Sequence, residues 1–150
     1  MSAIANCPTG NRQKRRRRLR GLEKGSIFMN SLPLSRRCRI FVVEDDRMVR
    51  ETITLMLEDD YDIDVAVSVR TALVHLRAQD LSPPDVMLLD CLLPDGHLAD
   101  VLAEADQKGI PIVLISGDPG QAERIDPSRR FLSKPFTLAR LLEVLDTARR

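Results

Sequence analysis

Short, almost wholly apolar runs of strand length recur along most of the chain. Four of them are strong, at 39–43, 85–89, 110–115 and 130–133, and a weaker run lies at 63–67. Continuous apolar runs, unlike alternating ones, are typical of parallel strands that are covered on both faces of a sheet. The pattern therefore predicts five parallel strands.

Segments with helical spacing separate these runs. Apolar residues recur there at steps of three and four, each time behind a residue that can cap a helix. The predicted caps are Asp46, Ser68 or Thr71, and Thr137. A further helix, marked by Leu98, is closed by Gly109 and Pro111. Strands that alternate with helices predict right-handed crossovers and a doubly wound α/β fold.

Charged or hydroxyl side chains stand at the carboxyl ends of four predicted strands. They are Glu44 with Asp45, Asp90, Ser116 and Lys134. In a parallel sheet these ends meet at one edge, where doubly wound folds bind ligands. Converging carboxylates repel one another unless they are protonated or share a hard cation, and Mg²⁺ suits such a site because it takes few protein carboxylates. The pattern predicts a Mg²⁺ site at which Asp90 acts as a nucleophile toward phosphorus.

Each of these residues has an ordinary explanation when it is taken alone. Asp90 could be a loop carboxylate or a helix cap, Ser116 a turn serine and Lys134 a solvated surface lysine. Together they favour phosphoryl chemistry, because an ammonium and a hydroxyl can both bind phosphoryl oxygens. We expect Asp46 to cap its helix and not to bind metal.

Charge divides the chain into two parts. Residues 1–38 hold ten of the 23 Lys and Arg residues and a single acidic residue, whereas residues 39–150 carry an excess of acidic groups. The first part lacks apolar periodicity, so we predict a disordered basic tail followed by one domain. We do not expect the basic run 12–20 to bind nucleic acid specifically, because no aromatic residues are interleaved for stacking.

The sequence contains neither an apolar run as long as a membrane span nor the apolar core of a secretory signal. We therefore expect a cytoplasmic protein that does not bind membranes. Three cysteines, an odd number without metal-ligand spacing, also fit a reducing compartment. We expect Cys91, next to Asp90, to be a small side chain at the rim of the site and not a redox sensor.

Four ordered segments resemble the signature segments of a known family. They are residues 42–46, residues 88–90 with Pro94, residues 114–117 and residues 131–136. Together they are similar to the receiver domain of two-component response regulators, the CheY-like domain, over residues 39–150. The resemblance implies a flavodoxin-like fold of five strands and five helices.

The resemblance also implies roles for individual residues. Asp90 would accept a phosphoryl group from a histidine kinase or a histidine phosphotransfer protein. Mg²⁺ would be held by Glu44, Asp45, Asp90 and the backbone carbonyl of Leu92. Ser116 and Lys134 would contact the phosphoryl group, and Phe131 would be the switch residue that turns inward when Ser116 moves.

Departures from the family pattern bear on the output of the signal. The stretches on both sides of Ser116 are short for the family, the fourth helix has room for barely two turns before Pro127, and Leu98 stands where a glycine is common. No output domain is expected after the last helix. The sequence thus indicates a single-domain regulator that signals by binding a protein, with its cognate kinase, its target and a homodimeric state left open.

Two other classes of function remain open. A phosphorylation-independent interaction module, or pseudo-receiver, is favoured if the short fourth helix distorts the pocket. An aspartate-nucleophile phosphohydrolase of the haloacid-dehalogenase type also combines Asp, Ser or Thr, and Lys around Mg²⁺. Those enzymes place a second aspartate two residues after the nucleophile, where this chain has Leu92.

Overall fold

The computed structural model describes residues 36–79 and 81–150. Apart from its last three positions, the predicted tail at 1–38 lies outside the described residues, and so does the basic run 12–20. Within the described ranges, no helix is both long enough and apolar enough to cross a membrane.

Strands and helices alternate along the whole described domain. In chain order they are β1 (Arg39–Val43), α1 (Arg47–Leu57), β2 (Asp62–Ala66), α2 (Val69–Arg77), β3 (Val86–Asp90), α3 (Leu98–Gln107), β4 (Ile112–Ser116), α4 (Pro119–Ile125), β5 (Arg130–Ser133) and α5 (Leu138–Ala148).

The five strands form one parallel sheet in the order β2-β1-β3-β4-β5. Chain order reverses at the boundary between β1 and β3, because β2 lies on one side of β1 and every later strand lies on the other. This is the position at which doubly wound sheets open a crevice beyond the carboxyl ends of their strands. The predicted flavodoxin-like fold is confirmed.

The strand boundaries differ slightly from those predicted. β4 begins at Ile112 and not at residue 110, because the turn through Gly109, whose φ is 64°, and Pro111 precedes it. β3 extends to Asp90, since the ladder continues one step further with the Cys91 amide donating to the Ile115 carbonyl at 2.9 Å. Asp90 and Ser116 are therefore the last residues of their strands.

One face of the sheet packs against three helices. Its buried cluster combines alternate strand residues with the inner faces of α2, α3 and α4. The members include Phe41, Val43, Ala72, Leu76, Leu89, Val101, Ala105, Leu114 and Ala122. Because side chains alternate along a strand, Ile40, Val42 and Leu88 face the other side, where α1 and α5 bury their own apolar residues. With both faces covered, polar side chains can gather only at the ends of the central strands.

The predicted helix caps are confirmed. Asp46 accepts hydrogen bonds from the amides of Met48 and Val49 at the start of α1. At the start of α2 both candidates take part, because Ser68 and Thr71 form a reciprocal capping box. Thr137 caps α5. The carboxylate of Asp46 is thus engaged by its helix and not directed at the metal-ligand cluster.

Three glycines allow a graded test of backbone strain. Gly96 has φ of 69°, and a Cβ there would lie 2.9 Å from Val69 Cγ1. Gly109 has a similar φ with open space around it, and Gly117 has open space without a left-handed φ. A left-handed conformation costs a residue with a side chain roughly 1–2 kcal/mol.

We predict that Gly96→Ala lowers the free energy of unfolding most, because strain and collision add. Gly109→Ala should cost about 1–2 kcal/mol from backbone strain alone, and Gly117→Ala should cost least. Urea unfolding followed by circular dichroism measures all three. Equal losses at positions 96 and 109 would contradict the close approach of Gly96 to Val69.

Candidate functional site

Side chains from four separate parts of the chain converge beyond the carboxyl edge of the sheet. Glu44 directly follows β1, Asp90 ends β3, Ser116 ends β4 and Lys134 directly follows β5. Glu44, Asp90 and Ser116 are the buried polar residues of the described domain. The convergence that the sequence predicts is therefore present.

Lys134 joins the two buried carboxylates of this edge. Its Nζ lies 2.7 Å from Glu44 Oε2 and 3.2 Å from Asp90 Oδ2. The exposed fraction of the side chain is 23% for Lys134, 1% for Glu44 and 6% for Asp90. The ammonium is therefore a held group and not a solvated surface lysine. The Lys134–Pro135 peptide is cis. A cis peptide bond costs much less free energy before proline than before any other residue.

Three carboxylates lie close enough to share one cation. Glu44, Asp45 and Asp90 each offer an oxygen, and these oxygens lie within 4.8 Å of one another. Asp45 is exposed, whereas the other two are buried. A group of carboxylate oxygens with one open side fits Mg²⁺, which retains water or phosphate oxygens in its remaining positions. The predicted ligands Glu44, Asp45 and Asp90 are thus brought together.

The backbone of Leu92 lies beside this cluster of carboxylates. Its amide donates to Asp90 Oδ1 at 3.1 Å, while its side chain is 63% exposed. Asp90 therefore has one oxygen on Lys134 and the other on a backbone amide, which fixes the plane of its carboxylate. That the carbonyl of Leu92 binds metal stays a prediction.

Burial and mutual repulsion change the protonation of Glu44. Burial, together with the neighbouring Asp90, raises the pKa of Glu44 to about 7, although Lys134 acts in the opposite direction. Burial by itself would lower the pKa of Lys134, but its hydrogen bond to Glu44 and the charge of Asp90 outweigh this, so its pKa lies above the ordinary value. Lys134 remains an ammonium, and Glu44 titrates near neutrality.

Cys91 follows Asp90 and is buried. Burial, followed by the charge of Asp90, raises the pKa of its thiol to about 11. Reactive cysteines depend on the thiolate form, which this environment disfavours. Cys91 and Cys38 are both buried. The expected role of Cys91 as a small inert side chain at the rim fits these findings.

Ser116 lies on the opposite side of Asp90 from β1, and its hydroxyl both accepts and donates a hydrogen bond. Its Oγ accepts the amide of Asp118 at 3.0 Å and donates to Gln121 Oε1 at 3.2 Å. The side-chain amide of Gln121 in turn donates to the carbonyl of Cys91 at 3.2 Å. Gln121 was not predicted from the sequence, because a glutamine early in a short helix carries no periodic or motif signal.

Two further polar residues that the sequence analysis missed shape the loops around the site. Arg50 Nη1 donates to the carbonyls of Glu44 at 2.9 Å and Asp45 at 3.2 Å, and so fixes the β1–α1 loop. Asp95 accepts the amides of Val69 and Arg70 at the start of α2, which ties the β3–α3 loop to that helix. Both contacts join positions that no local pattern relates.

Phe131 is half-buried and packs against the helix-covered core cluster. It pairs with Leu114 in the β4–β5 register, two residues before Ser116. This places an aromatic side chain on the strand next to the one that ends in Ser116. Its predicted role as a switch stays a prediction.

A family model and several relatives match this domain. The model for the response regulator receiver domain matches residues 40–146. A probable transcriptional regulatory protein of Picosynechococcus sp. is 31% identical over 120 residues, which are 73% of this chain and 48% of that protein. The chain spans about half the length of the first curated relatives that it matches. The chemotaxis protein CheY of Listeria monocytogenes is 26% identical over 113 residues, which cover 71% of this chain and 95% of that protein.

Solved structures share the fold. A response regulator receiver domain protein from Clostridium thermocellum superposes with a TM-score of 0.64 at 20% identity, covering 75% of this chain and 94% of that one. The chemotaxis protein CheY4 of Vibrio cholerae gives a TM-score of 0.61 at 21% identity, covering 75% of this chain and 99% of that one. At these identities the likeness concerns the architecture alone.

The raised pKa of Glu44 predicts a pH-dependent stability. Because its folded pKa of about 7 lies above the ordinary 4.5, its contribution to stability is complete below pH 4.5 and is lost as the pH rises through 7. Without divalent cations, the free energy of unfolding of the wild type should fall over this window relative to Glu44→Gln. A shift of this size corresponds to an upper limit of about 3 kcal/mol.

Urea unfolding in EDTA at a series of pH values measures this difference. Glu51→Gln, at an exposed position of α1, is the matched control and should retain the wild-type fall. A profile of Glu44→Gln that runs parallel to the wild type from pH 4.5 to 7 would show that Glu44 does not titrate in this range.

Proposed function

The chain belongs to the response regulator receiver domain family, and from that premise we propose that Asp90 accepts a phosphoryl group from a histidine kinase or histidine phosphotransfer protein. The observation that carries the proposal is the contact of the Lys134 ammonium with both Asp90 and Glu44 beside a third carboxylate, Asp45. In the transfer, a carboxylate oxygen of Asp90 attacks phosphorus, a P–O bond forms, and the P–N bond of the phosphohistidine breaks to leave the donor imidazole.

The surrounding residues support this chemistry by placement and charge. Phosphoryl transfer needs mainly alignment and neutralisation of the equatorial oxygens. Lys134 offers a fixed positive charge next to Asp90, and Ser116 offers a hydroxyl on the neighbouring strand. Glu44, Asp45, Asp90 and the carbonyl of Leu92 would hold Mg²⁺, which when bound supplies the positive charge that offsets these carboxylates and the phosphoryl oxygens. The donor set fits that ion.

The other two classes of function receive less support. A distorted pocket would favour the phosphorylation-independent module, yet Lys134, Glu44 and Asp90 are in contact although α4 has only seven residues. The phosphohydrolase needs an acid two residues after the nucleophile, and Leu92 offers only an exposed apolar side chain there.

We propose that the output is a protein–protein contact biased by phosphorylation. Ser116 would move toward the phosphoryl group and Phe131 would turn inward, so that a partner with different affinities for the two states reads the change. The cytoplasm is the compartment that we propose for this role.

An apolar groove beside the site fits a docking protein that delivers the phosphoryl group. It measures about 400 Å³ and is lined by Met48, Val49, Thr52, Met56, Lys134, Pro135 and Phe136. Met48 is 71% exposed at the first turn of α1. Since Lys134 lines the groove and also touches Asp90, a protein seated there would reach the phosphoacceptor.

We predict that acetyl phosphate with Mg²⁺ labels the protein once and that Asp90→Asn abolishes the label. The substitution keeps the size of the side chain and removes the nucleophilic charge. Asp100→Asn, an exposed position in the first turn of α3, is the control and should be labelled as the wild type is. Intact mass spectrometry gives the stoichiometry, and a label that survives Asp90→Asn would refute the assignment.

If the phosphodonor protein docks in this groove, a substitution there should slow transfer from a protein donor but not from a small-molecule donor. We expect Met48→Glu to slow transfer from a purified histidine kinase by about tenfold or more, because a charge would be buried against the donor. Transfer from acetyl phosphate should be unchanged. The new carboxylate stands in the first turn of α1, where it suits the helix dipole, so folding should not suffer.

Leu55→Glu is the matched control for the docking groove. Leu55 is 68% exposed on the same helix but does not line the groove. Phosphoryl transfer followed by gel autoradiography compares both variants with the wild type. Equal slowing of transfer by both substitutions, or slowing with acetyl phosphate as well, would contradict docking at this groove.

A further inference from the structure

Gln121 bridges the two loops that flank the phosphoacceptor. Its Oε1 lies 3.2 Å from Ser116 Oγ at the end of β4, and its Nε2 lies 3.2 Å from the carbonyl oxygen of Cys91 after β3. The side chain is half-buried near the start of α4. One amide group thus contacts the strand ends that carry Asp90 and Ser116.

The chemistry of the partners fixes the orientation of this amide. The carbonyl of Cys91 can only accept a hydrogen bond, so it must face the NH₂ group of Gln121. The oxygen of the amide therefore faces Ser116, and between these two atoms only the hydroxyl can donate. A flipped amide would place two acceptors against each other at Cys91.

Ser116 has one proton, and this proton is already used. Its Oγ accepts the amide of Asp118 at 3.0 Å, which leaves the O–H directed at Gln121. A phosphoryl oxygen is an acceptor as well, so contact with it requires the same proton. Ser116 cannot donate to Gln121 and to a phosphoryl group at the same time.

We propose that Gln121 is a positioning residue that holds Ser116 in its resting orientation and competes with the phosphoryl group for the Ser116 proton. This inference rests on the proposed function of Asp90 and adds a regulatory element to the same site. Gln121 stabilises the resting conformation of the unphosphorylated domain, because its hydrogen bond to Ser116 must break whenever Ser116 turns to the phosphoryl group.

The size of the effect follows from one exchanged hydrogen bond. A typical net value of such a bond corresponds to a change of about fivefold in an equilibrium constant. Removing the amide oxygen should therefore raise the affinity for a phosphoryl mimic by about that factor. The lost contact to Cys91 affects the free and the bound domain alike, so it contributes little to the difference.

Beryllium fluoride with Mg²⁺ is a suitable probe, because it imitates an aspartyl phosphate without turnover. Gln121→Met keeps the length of the side chain and its helix propensity but lacks the amide. We expect it to bind beryllium fluoride about fivefold more tightly than the wild type, as measured by fluorine NMR. Gln107→Met, the same substitution at an exposed position of α3, is the control and should bind as the wild type does.

A double-mutant cycle separates positioning of Ser116 from a general structural role. In a Ser116→Ala background no hydroxyl remains for Gln121 to hold, so Gln121→Met should leave the affinity unchanged. An effect that persists in this background would place the action of Gln121 at Cys91 and overturn the inference. Unchanged or weaker binding by the single Gln121→Met variant in the serine background would overturn it as well.

The contact itself can be tested without any phosphoryl chemistry. In the unphosphorylated protein, Ser116→Ala should shift the side-chain amide resonances of Gln121 in heteronuclear NMR, and an absent shift would overturn the inference alone. If the wild type does not bind beryllium fluoride, the proposed function fails and the inference fails with it. If the wild type binds and only the Gln121 effects are missing, the proposed function stands.

Discussion

The contact of one ammonium with two buried carboxylates is the interaction on which this site depends. Lys134 is 90 positions from Glu44 and 44 from Asp90 along the chain, yet its Nζ touches both. Buried charges are costly to desolvate, and a lone buried carboxylate would be costlier still. Lys134 offsets part of the cost, but one positive charge cannot balance Glu44, Asp90 and nearby Asp45 together. Burial first and the neighbouring Asp90 second raise the pKa of Glu44, and the contact with Lys134 does not cancel this rise.

The same excess of negative charge bears on the order in which the proposed ligands would bind. A phosphoryl group adds negative charge to an edge that already has an excess of it, so it is disfavoured until positive charge has been added. A divalent cation is favoured at once, because it relieves repulsion among carboxylates already held in place. On the proposed function, we therefore expect a cation to bind first and the phosphoryl group second.

The sheet accounts for much of what could be predicted from the sequence. β3 and β4 are buried along their whole length, so their apolar runs are visible in the sequence and their polar ends stand out. Helix caps such as Asp46 and Thr137 depend only on neighbouring residues in the sequence, so they could be predicted as well. Gln121 and Asp95 could not be predicted, because each acts across loops whose mutual approach is decided by packing. Arg50 could not be predicted either, because its contacts depend on how the β1–α1 loop turns. Strand ends were misplaced by one or two residues where Pro111 and the ladder beyond Asp90 set the limits.

The short helix α4 is attached at both of its ends, and the two attachments differ in kind. Near its start, Asp118 and Gln121 both bond the hydroxyl of Ser116. After its end, Arg129 forms an ion pair with Asp126. Arg129 also forms a bidentate ion pair with Asp106 of α3, with Nη1–Oδ1 at 3.1 Å and Nη2–Oδ2 at 2.6 Å. The second attachment contains no group of the phosphoacceptor site, whereas the first would exchange its bonds in the movement that we propose for Ser116. On the proposed function, a change at Asp90 would therefore act on the first turn of α4, while the ion pairs of Arg129 hold the other end to α3.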